Sequence, residues 1–367
     1  MKVRYSYLKQ QFSNCDDLWK NLKKFVSTGD FTLGKPLTKF EDSFAKLMGV
    51  KYAVGVNSGT DAIKLSLKAL GVGNGDEVIT AANTFVATVG AIHEIGAKPI
   101  YVDCDDTFCM NVNQVEKFIT KKTKALVPVH FTGYMTNMPK LMKIARKYNL
   151  PIVEDACQSI LGEVNKKKAG SWGDFGAFSL HPLKNINVWS DGGIITTNNK
   201  KYFKKLKLLR NHGLIDRDTV KINGYNSRLD TFQAVVGNWL LPKAKAIASQ
   251  RIQNAKFYDK ELSKIKGITI PPRPKNYKIV FHLYIVFAEK RNELLKYCLK
   301  HGIQAKIHYP KPIYLQESEK RLGHKKGDFP IADIHAKKII SFPCDQHLSR
   351  KEMKYIVNTV KKFFKTA

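Results

Sequence analysis

The stretch 151–158, PIVEDACQ, sets two adjacent carboxylates, Glu154 and Asp155, at the end of an apolar run. In an open α/β sheet, ligands gather at the C-terminal ends of the strands. A carboxylate there can serve as a metal ligand, a general acid or base, the cap of a following helix, or the counter-charge to a protonated ring nitrogen. The last use has its own physics. A pyridine ring that accepts electrons must stay protonated, and a buried carboxylate paired with the nitrogen raises its pKa. Asp155 suits that task, with a helix N-cap as the plainer alternative.

A second group, 174–193, reads DFGAFSLHPLKNINVWSDGG. An aromatic-flanked apolar strand ends in Ser179, and Lys184 follows five residues later, ahead of Gly192-Gly193. Most lysines of this chain must face solvent. One lodged between an apolar strand and a double glycine is predicted to be partly buried, and desolvation lowers its pKa toward the range where a neutral amine attacks a carbonyl. Ser58-Gly59-Thr60, after the apolar run 52–57, offers backbone amides and two hydroxyls, as either a phosphate cradle or an ordinary helix cap. The chain has no GxxxxGK[ST] loop, and no GxGxxG follows this strand, which counts against a nicotinamide cofactor. Three more features gain meaning only in combination. Phe85 in AANTFVAT supplies a ring for stacking, and His130 and Gly133 in VHFTG end another strand at the same edge. Asn226 and Arg228 in GYNSRLD provide an amide and a cationic fork suited to phosphate or carboxylate.

These groups need a scaffold, and the apolar pattern suggests one. Runs at 52–57, Glu77–Thr80, Lys98–Val102, Ala125–Val129, Pro151–Val153, Gly176–Leu180 and Gly193–Thr197 are rich in Val and Ile and rarely alternate, as strands buried on both faces do. The spacing between them leaves room for crossover helices. The pattern therefore predicts an α/β fold with a mostly parallel seven-stranded sheet flanked by helices. Helical spacing at 16–25 and 36–48 predicts two opening helices, and Tyr202–Leu209 and Thr231–Lys264 predict later ones. A β-like segment at Tyr277–Ala288, a helix at Arg291–His301, a strand at Gln304–His308 and a closing helix at Lys351–Phe364 suggest a smaller α+β domain. The expected division is 1–245 and 246–367.

The 367 residues, 43% of them apolar, suffice for a large core. No apolar stretch reaches the roughly 18 residues that span a bilayer, and the N-terminus lacks a signal-peptide pattern, so a cytoplasmic protein without membrane insertion is expected. The six cysteines show no CxxC pair and no metal-like spacing, so reduced thiols and no metal site are expected. The formal charge of +31 raises nucleic-acid binding as a question. Yet 52 of the 62 basic residues are lysines spread along the whole chain, whereas base reading and bidentate phosphate contacts favour arginine. A solvated basic surface that attracts an anionic substrate is the expectation, with no specific nucleic-acid partner.

Taken in order, NSGTDAI, TFVAT with GAKPIYVD, PVHFTG, IVEDACQSILG, GAFSLHPLKN with its DGG, GYNSRLDTFQA and HYPKP resemble the DegT/DnrJ/EryC1/StrS family of sugar aminotransferases, among the fold-type I enzymes dependent on pyridoxal 5'-phosphate (PLP). The resemblance covers nearly the whole chain. It implies that Lys184 forms the Schiff base with the cofactor, Asp155 pairs with the pyridine nitrogen, Gln158 hydrogen-bonds the phenolic oxygen and Phe85 stacks on the ring. It implies that Gly59, Thr60 and Ser179 hold the phosphate. Asn226 is then expected to reach the cofactor of a neighbouring subunit, making a homodimer with composite sites. Candidate substrate contacts are His181, Trp189, Arg228, His308 and Tyr309. The implied activity moves an amino group, from L-glutamate by analogy, onto a keto sugar carried on a nucleotide, in amino-sugar biosynthesis for lipopolysaccharide, O-antigen or a related glycan. One branch of the family replaces the lysine by histidine and dehydrates sugars; this chain keeps Lys184, with His181 three residues earlier, which favours transamination over a dehydratase. Relatives often carry Gly-Glu where this chain has Ser190-Asp191, which leaves room for a different substrate contour. A non-catalytic regulatory homologue is the remaining alternative.

Overall fold

The computed structural model describes residues 1–366. Its centre is a seven-stranded sheet formed by β1 (Tyr52–Val56), β2 (Glu77–Ala81), β3 (Lys98–Val102), β4 (Thr123–Val127), β5 (Val153–Asp155), β6 (Phe175–Ser179) and β7 (Gly193–Thr197). Ladders give the orders β1-β7-β6-β5 and β3-β2-β4, and the parallel bridges Leu126–Ile152 and Val129–Asp155 join them into one sheet. Every neighbouring pair is parallel except those involving β7, which runs antiparallel to both β1 and β6. The reason is local. Parallel neighbours need a long crossover, whereas β6 and β7 are joined by the loop 180–192 with no helix in it, so the chain returns in the opposite sense. That loop carries Lys184.

The absence of alternation along the strands has a direct cause. Ile79, Leu126, Ile152, Phe178 and Ile194 face one apolar cluster, while Val78, Ala125, Val153, Ala177 and Ile195 face another on the opposite side. Helices cover both faces. On one, α1 (Asp16–Val26) and α2 (Lys35–Met48) pack with α3 (Thr231–Leu240), where Gly237 is small because a Cβ there would lie 2.6 Å from the Phe40 ring. On the other lies the helix Gly59–Leu70, begun by Ser58, whose hydroxyl accepts from the Asp61 amide, and ended by Gly71 at φ 83°.

Beyond α3, Pro242 interrupts the helical run, and a second helix spans Ala244–Leu262. A three-stranded antiparallel sheet follows, ordered Ile268–Thr269, Tyr284–Ala288, Ile339–Phe342 and packed by the helices Arg291–Lys300 and Arg350–Thr366. Two expectations need correction here. The strand expected at Gln304–His308 does not form: the Gln304 amide donates to the Val3 carbonyl, and Lys306 exchanges backbone hydrogen bonds with Ser341, but these are isolated bridges and the chain then turns toward Pro310. The segment Tyr277–Ala288 is split, because Phe281 sits at φ 46°; Tyr277–Lys278 pairs instead with Glu163–Val164. The apolar cluster around this second sheet also takes in Val3, Tyr7, Phe131 and Tyr134 from the first half of the chain. Among the described residues no helix is long and apolar enough to cross a membrane, and all six cysteines are free thiols.

One buried polar knot ties strand to helices. Glu41 on α2 accepts from the amide of Gly55 at 2.7 Å and pairs with Arg210, whose guanidinium also donates to the Gly55 carbonyl at 2.8 Å. Arg210→Met strands the Glu41 carboxylate in a dry site and is expected to lower stability by about 3–5 kcal/mol. Denaturant unfolding of the apo protein measures this, and the Glu41→Gln/Arg210→Met pair should recover part of the loss. A single variant as stable as the parent would make the pair dispensable.

Candidate functional site

The C-terminal ends of β1, β2, β5 and β6 converge on a cavity of about 350 Å³. It is lined by Gly59, Thr60, Phe85, Asp155, Gln158, Ser179, His181, Lys184, His308 and Tyr309, so ten of the residues singled out by the sequence meet there. Each arrives for a local reason. Ser58 uses its hydroxyl on the Asp61 amide and its carbonyl on Ala62, leaving the first-turn amides of Gly59 and Thr60 at the open end of a 12-residue helix. A Cβ on Gly59 would lie 2.7 Å from Ser179 Cβ and 2.9 Å from Cys157 Sγ, so only glycine lets this helix end approach β6.

Asp155 ends β5 and is buried. No helix follows it; its Oδ1 accepts from the Cys157 amide at 3.2 Å, an Asx turn, and its Oδ2 accepts from Thr88 Oγ1 at 2.7 Å. The helix-cap alternative is thereby set aside. Glu154 points the other way. Its carboxylate is fully buried and accepts from the amides of Gly170, Trp172 and Gly173 and from His130 Nε2, all within 2.7–2.9 Å. His130 Nδ1 accepts from the Thr136 amide, so the neutral Nε2–H form satisfies both contacts. His130 is thus a structural tie rather than a cavity residue. Gly133 is likewise structural, since at φ 106° its Cβ would lie 2.6 Å from the Phe281 amide.

Lys184 is half-buried in the loop 180–192, which Leu180 N–H to Gly192 O, Val188 N–H to Leu180 O and Lys184 N–H to His181 O close on itself. Burial pushes its amine below the ordinary lysine range, while the nearby Cys157 and Asp155 act in the opposite sense. Burial also pushes the Cys157 thiol well up, with Asp155 adding to the effect, so that thiol stays protonated. Gln158 Oε1 accepts from the Thr132 amide at 2.7 Å, which turns its NH₂ group toward the cavity, where it also serves the Tyr309 phenol as a donor. Phe85 and Tyr309 form one wall with ring centroids 5.7 Å apart. His308 Nδ1 meets Ser341 Oγ at 2.9 Å, and burial, helped by Lys306 and Lys184, lowers its pKa to about 4.

Three candidates lie outside this cavity. Trp189 packs in an aromatic group with Phe12, Trp19 and Phe232. Arg228 donates to Asn211 Oδ1 at 3.0 Å, and Asn226, which is exposed, bridges to the Asn211 backbone. Conversely, the cavity includes residues the sequence did not point to: Tyr5, Thr88, Cys157, Arg251, His282 and Lys306. Cys157 and Thr88 sit beside motifs already recognised. Tyr5, Arg251, His282 and Lys306 come from distant parts of the chain and carry no local signal.

A mostly parallel sheet with one reversed strand, and a loop lysine sharing a cavity with a buried aspartate at the strand ends, is the arrangement of fold-type I PLP-dependent enzymes. The chain belongs to the DegT/DnrJ/EryC1/StrS aminotransferase family, whose sequence model matches residues 14–361. It is 36% identical to a pleiotropic regulatory protein of Geobacillus stearothermophilus over 100% of this chain and 99% of that protein. It is 35% identical to a UDP-N-acetyl-3-dehydro-alpha-D-glucosamine 3-aminotransferase of Acidithiobacillus ferrooxidans, over 95% of this chain and 94% of that one. Among solved structures, DesV of S. venezuelae in complex with a ketimine intermediate superposes with a TM-score of 0.96 at 32% identity, covering 99% of this chain and 98% of that chain.

The cavity fits PLP by its own chemistry. Free helix amides and Ser179 suit a phosphate, the NH₂ of Gln158 suits an oxyanion, Asp155 suits a protonated ring nitrogen, and a lysine of lowered pKa suits an aldehyde. If burial governs Lys184, competitive labelling of the apo protein with an amine-selective reagent should half-modify it at lower pH than the exposed lysines. Asp155→Asn removes an anion that favours the ammonium form, so the profile should move to still lower pH. A Lys184 profile at or above that of the surface lysines contradicts the assignment.

Proposed function

We propose that this protein is a PLP-dependent aminotransferase that moves an amino group from an amino-acid donor, L-glutamate, to the keto group of a nucleotide-linked sugar in the synthesis of amino sugars for surface glycans. The observation that carries the reading is the shared cavity of Lys184 and Asp155 beside an open helix end. Bound PLP supplies an aldehyde that takes up amines and a ring that withdraws electrons from the adjacent carbon. The chain's own groups do the rest. Lys184 would hold the cofactor's aldehyde through its amine and would serve as the base for the donor's α-proton. Asp155 keeps the ring nitrogen protonated, Gln158 donates to the phenolic oxygen, and Phe85 covers the ring. Gly59, Thr60 and Ser179 hold the phosphate.

The partner is a second copy of this chain. Leu183, Phe85 and Val86 are 46%, 49% and 51% exposed around the cavity, an apolar rim that a second copy would cover. Exposed Asn226 is available to the neighbouring site in such a dimer, with half-buried Arg228 held beside it by Asn211. The proposed cofactor-binding body is 1–245 and the smaller body 246–367, a division supported by the separate antiparallel sheet of the C-terminal part. A cytoplasmic location accords with the free thiols. A second reading, regulation without turnover, has the name of the G. stearothermophilus relative in its favour. The retained lysine and aspartate weigh against it.

Incubation with PLP, L-glutamate and a panel of nucleotide-linked keto sugars should release 2-oxoglutarate in step with aminated sugar, and Lys184→Ala should reduce this to background. Loss of water or ammonia from the sugar would indicate a dehydratase, and bound cofactor without turnover a regulator. Mixing Lys184→Ala with Asn226→Ala subunits tests the shared site: dimers of mixed composition should differ from both parents in activity or cofactor retention, because one of their two sites keeps both residues. Mixtures indistinguishable from the parents would exclude a composite site.

A further inference from the structure

Beside Asp155, and lining the same cavity, stand two buried threonines, Thr84 in the loop leaving β2 and Thr88 in the first turn of the helix Val86–Glu94. Thr88 Oγ1 donates to Asp155 Oδ2 at 2.7 Å, and the two threonine hydroxyls lie 2.7 Å apart. A hydroxyl has one proton, and an ionised carboxylate has none to give. The proton of Thr88 is therefore committed to Asp155, so Thr84 must be the donor in the outer bond. The chain runs one way, Thr84 to Thr88 to Asp155, and each bond polarises the next. The terminal torsion of an aspartate is intrinsically broad, so hydrogen bonds rather than rotamer preference decide where the carboxylate faces. Thr88 takes one oxygen and the Cys157 amide the other.

We propose that Thr88 is a positioning residue for Asp155, with Thr84 behind it, fixing the carboxylate in the single orientation in which it lines the cofactor cavity. This rests on the cofactor reading above, in which Asp155 serves the ring nitrogen. Thr88→Val keeps the volume and removes the hydroxyl, while Thr88→Ser keeps the hydroxyl. The holoenzyme is tested in two ways: the dissociation constant for PLP, and single-turnover release of 2-oxoglutarate from L-glutamate as a function of pH. Thr88→Val should bind PLP more weakly and slow the single turnover by roughly tenfold with an altered pH profile, whereas Thr88→Ser should stay within about twofold of the parent. The melting temperature of the apo protein should fall modestly in Thr88→Val, which leaves two buried oxygens without a partner, and stay unchanged in Thr88→Ser.

Thr88→Val matching the parent in both measurements overturns the proposal, and so does Thr88→Ser losing as much as Thr88→Val, which would mean packing alone. Should Thr88→Val fail to fold, Thr84→Val leaves the inner bond in place and must show a smaller loss of the same kind; no loss overturns the proposal. The two levels separate cleanly. A parent protein that gives no borohydride-reducible adduct at Lys184 defeats the cofactor reading, whereas a normal adduct with an unaffected Thr88→Val defeats only the role of Thr88.

Discussion

An amine and a carboxylate enclosed together in one cavity tend toward the ammonium and carboxylate pair, and the site depends on limiting that tendency. Asp155 favours the charged amine, but burial outweighs it and the net effect on Lys184 is downward. The backbone makes the balance workable. Asp155 is fixed at the end of a central parallel strand with both oxygens engaged, by Thr88 and by the Cys157 amide, and so stays where β5 puts it. Lys184 comes from the loop between β6 and the reversed strand β7, closed by its own backbone hydrogen bonds. Had the chain crossed over by a helix between these strands, as it does between β2 and β3, no lysine-bearing loop would lie at this edge.

The second half of the chain completes the cavity, and the one carboxylate it brings to the lining, Asp345, is paired with Arg251. Arg251 places its guanidinium against the carbonyls of Phe281 and His282 and the side chains of Gln346 and Asp345, so its charge is already answered inside the protein. It orders the segment 281–283, which Gly133 and Thr132 receive through backbone hydrogen bonds to Val280 and Leu283. The same contacts that join the two sheets thereby build the wall opposite Lys184.

The seven strands of the main sheet were legible within a residue or two because both their faces are buried, and two-sided burial writes itself into a sequence as unbroken apolar text. The cavity floor was legible for a related reason. Asp155, Ser179 and Gly59 sit within a few residues of strand ends that the apolar runs mark. What remained hidden was whatever reaches the site across the chain. Val3 pairs with Ile303 and Tyr5 lines the cavity, yet nothing in MKVRYSYLKQ announces a segment that crosses to the C-terminal part. The apparent strand at 304–308 misled because its alternation is real but its neighbour offers one pairing point, at Ser341. Trp189 lies close to Lys184 in sequence but folds into an aromatic group under α1, since after Val188 the loop turns back toward Gly192.

Charge gives the last step. In a chain with 31 more basic than acidic residues, a cavity lined by three histidines, an arginine and two lysines looks at first like an anion trap. The surroundings of these groups say otherwise. Burial holds His282 well below its ordinary range and His308 at about 4, with Lys184 adding to both, so both imidazoles are neutral near pH 7. Arg251 is paired with Asp345, and burial pushes the Lys184 amine below the ordinary lysine range. Lys306 is exposed and sets its ammonium 4.7 Å from the centre of the Tyr5 ring. Apart from the Asp155 carboxylate, the buried wall that His282 and His308 contribute is therefore uncharged and offers groups that both donate and accept, which matches the hydroxyls of a sugar. Anionic character is answered at the helix end by Gly59 and Thr60 and farther out by lysines. A substrate that is neutral and hydroxylated at its reacting end and anionic at the other fits that gradient, and a keto sugar on a nucleoside diphosphate has this polarity.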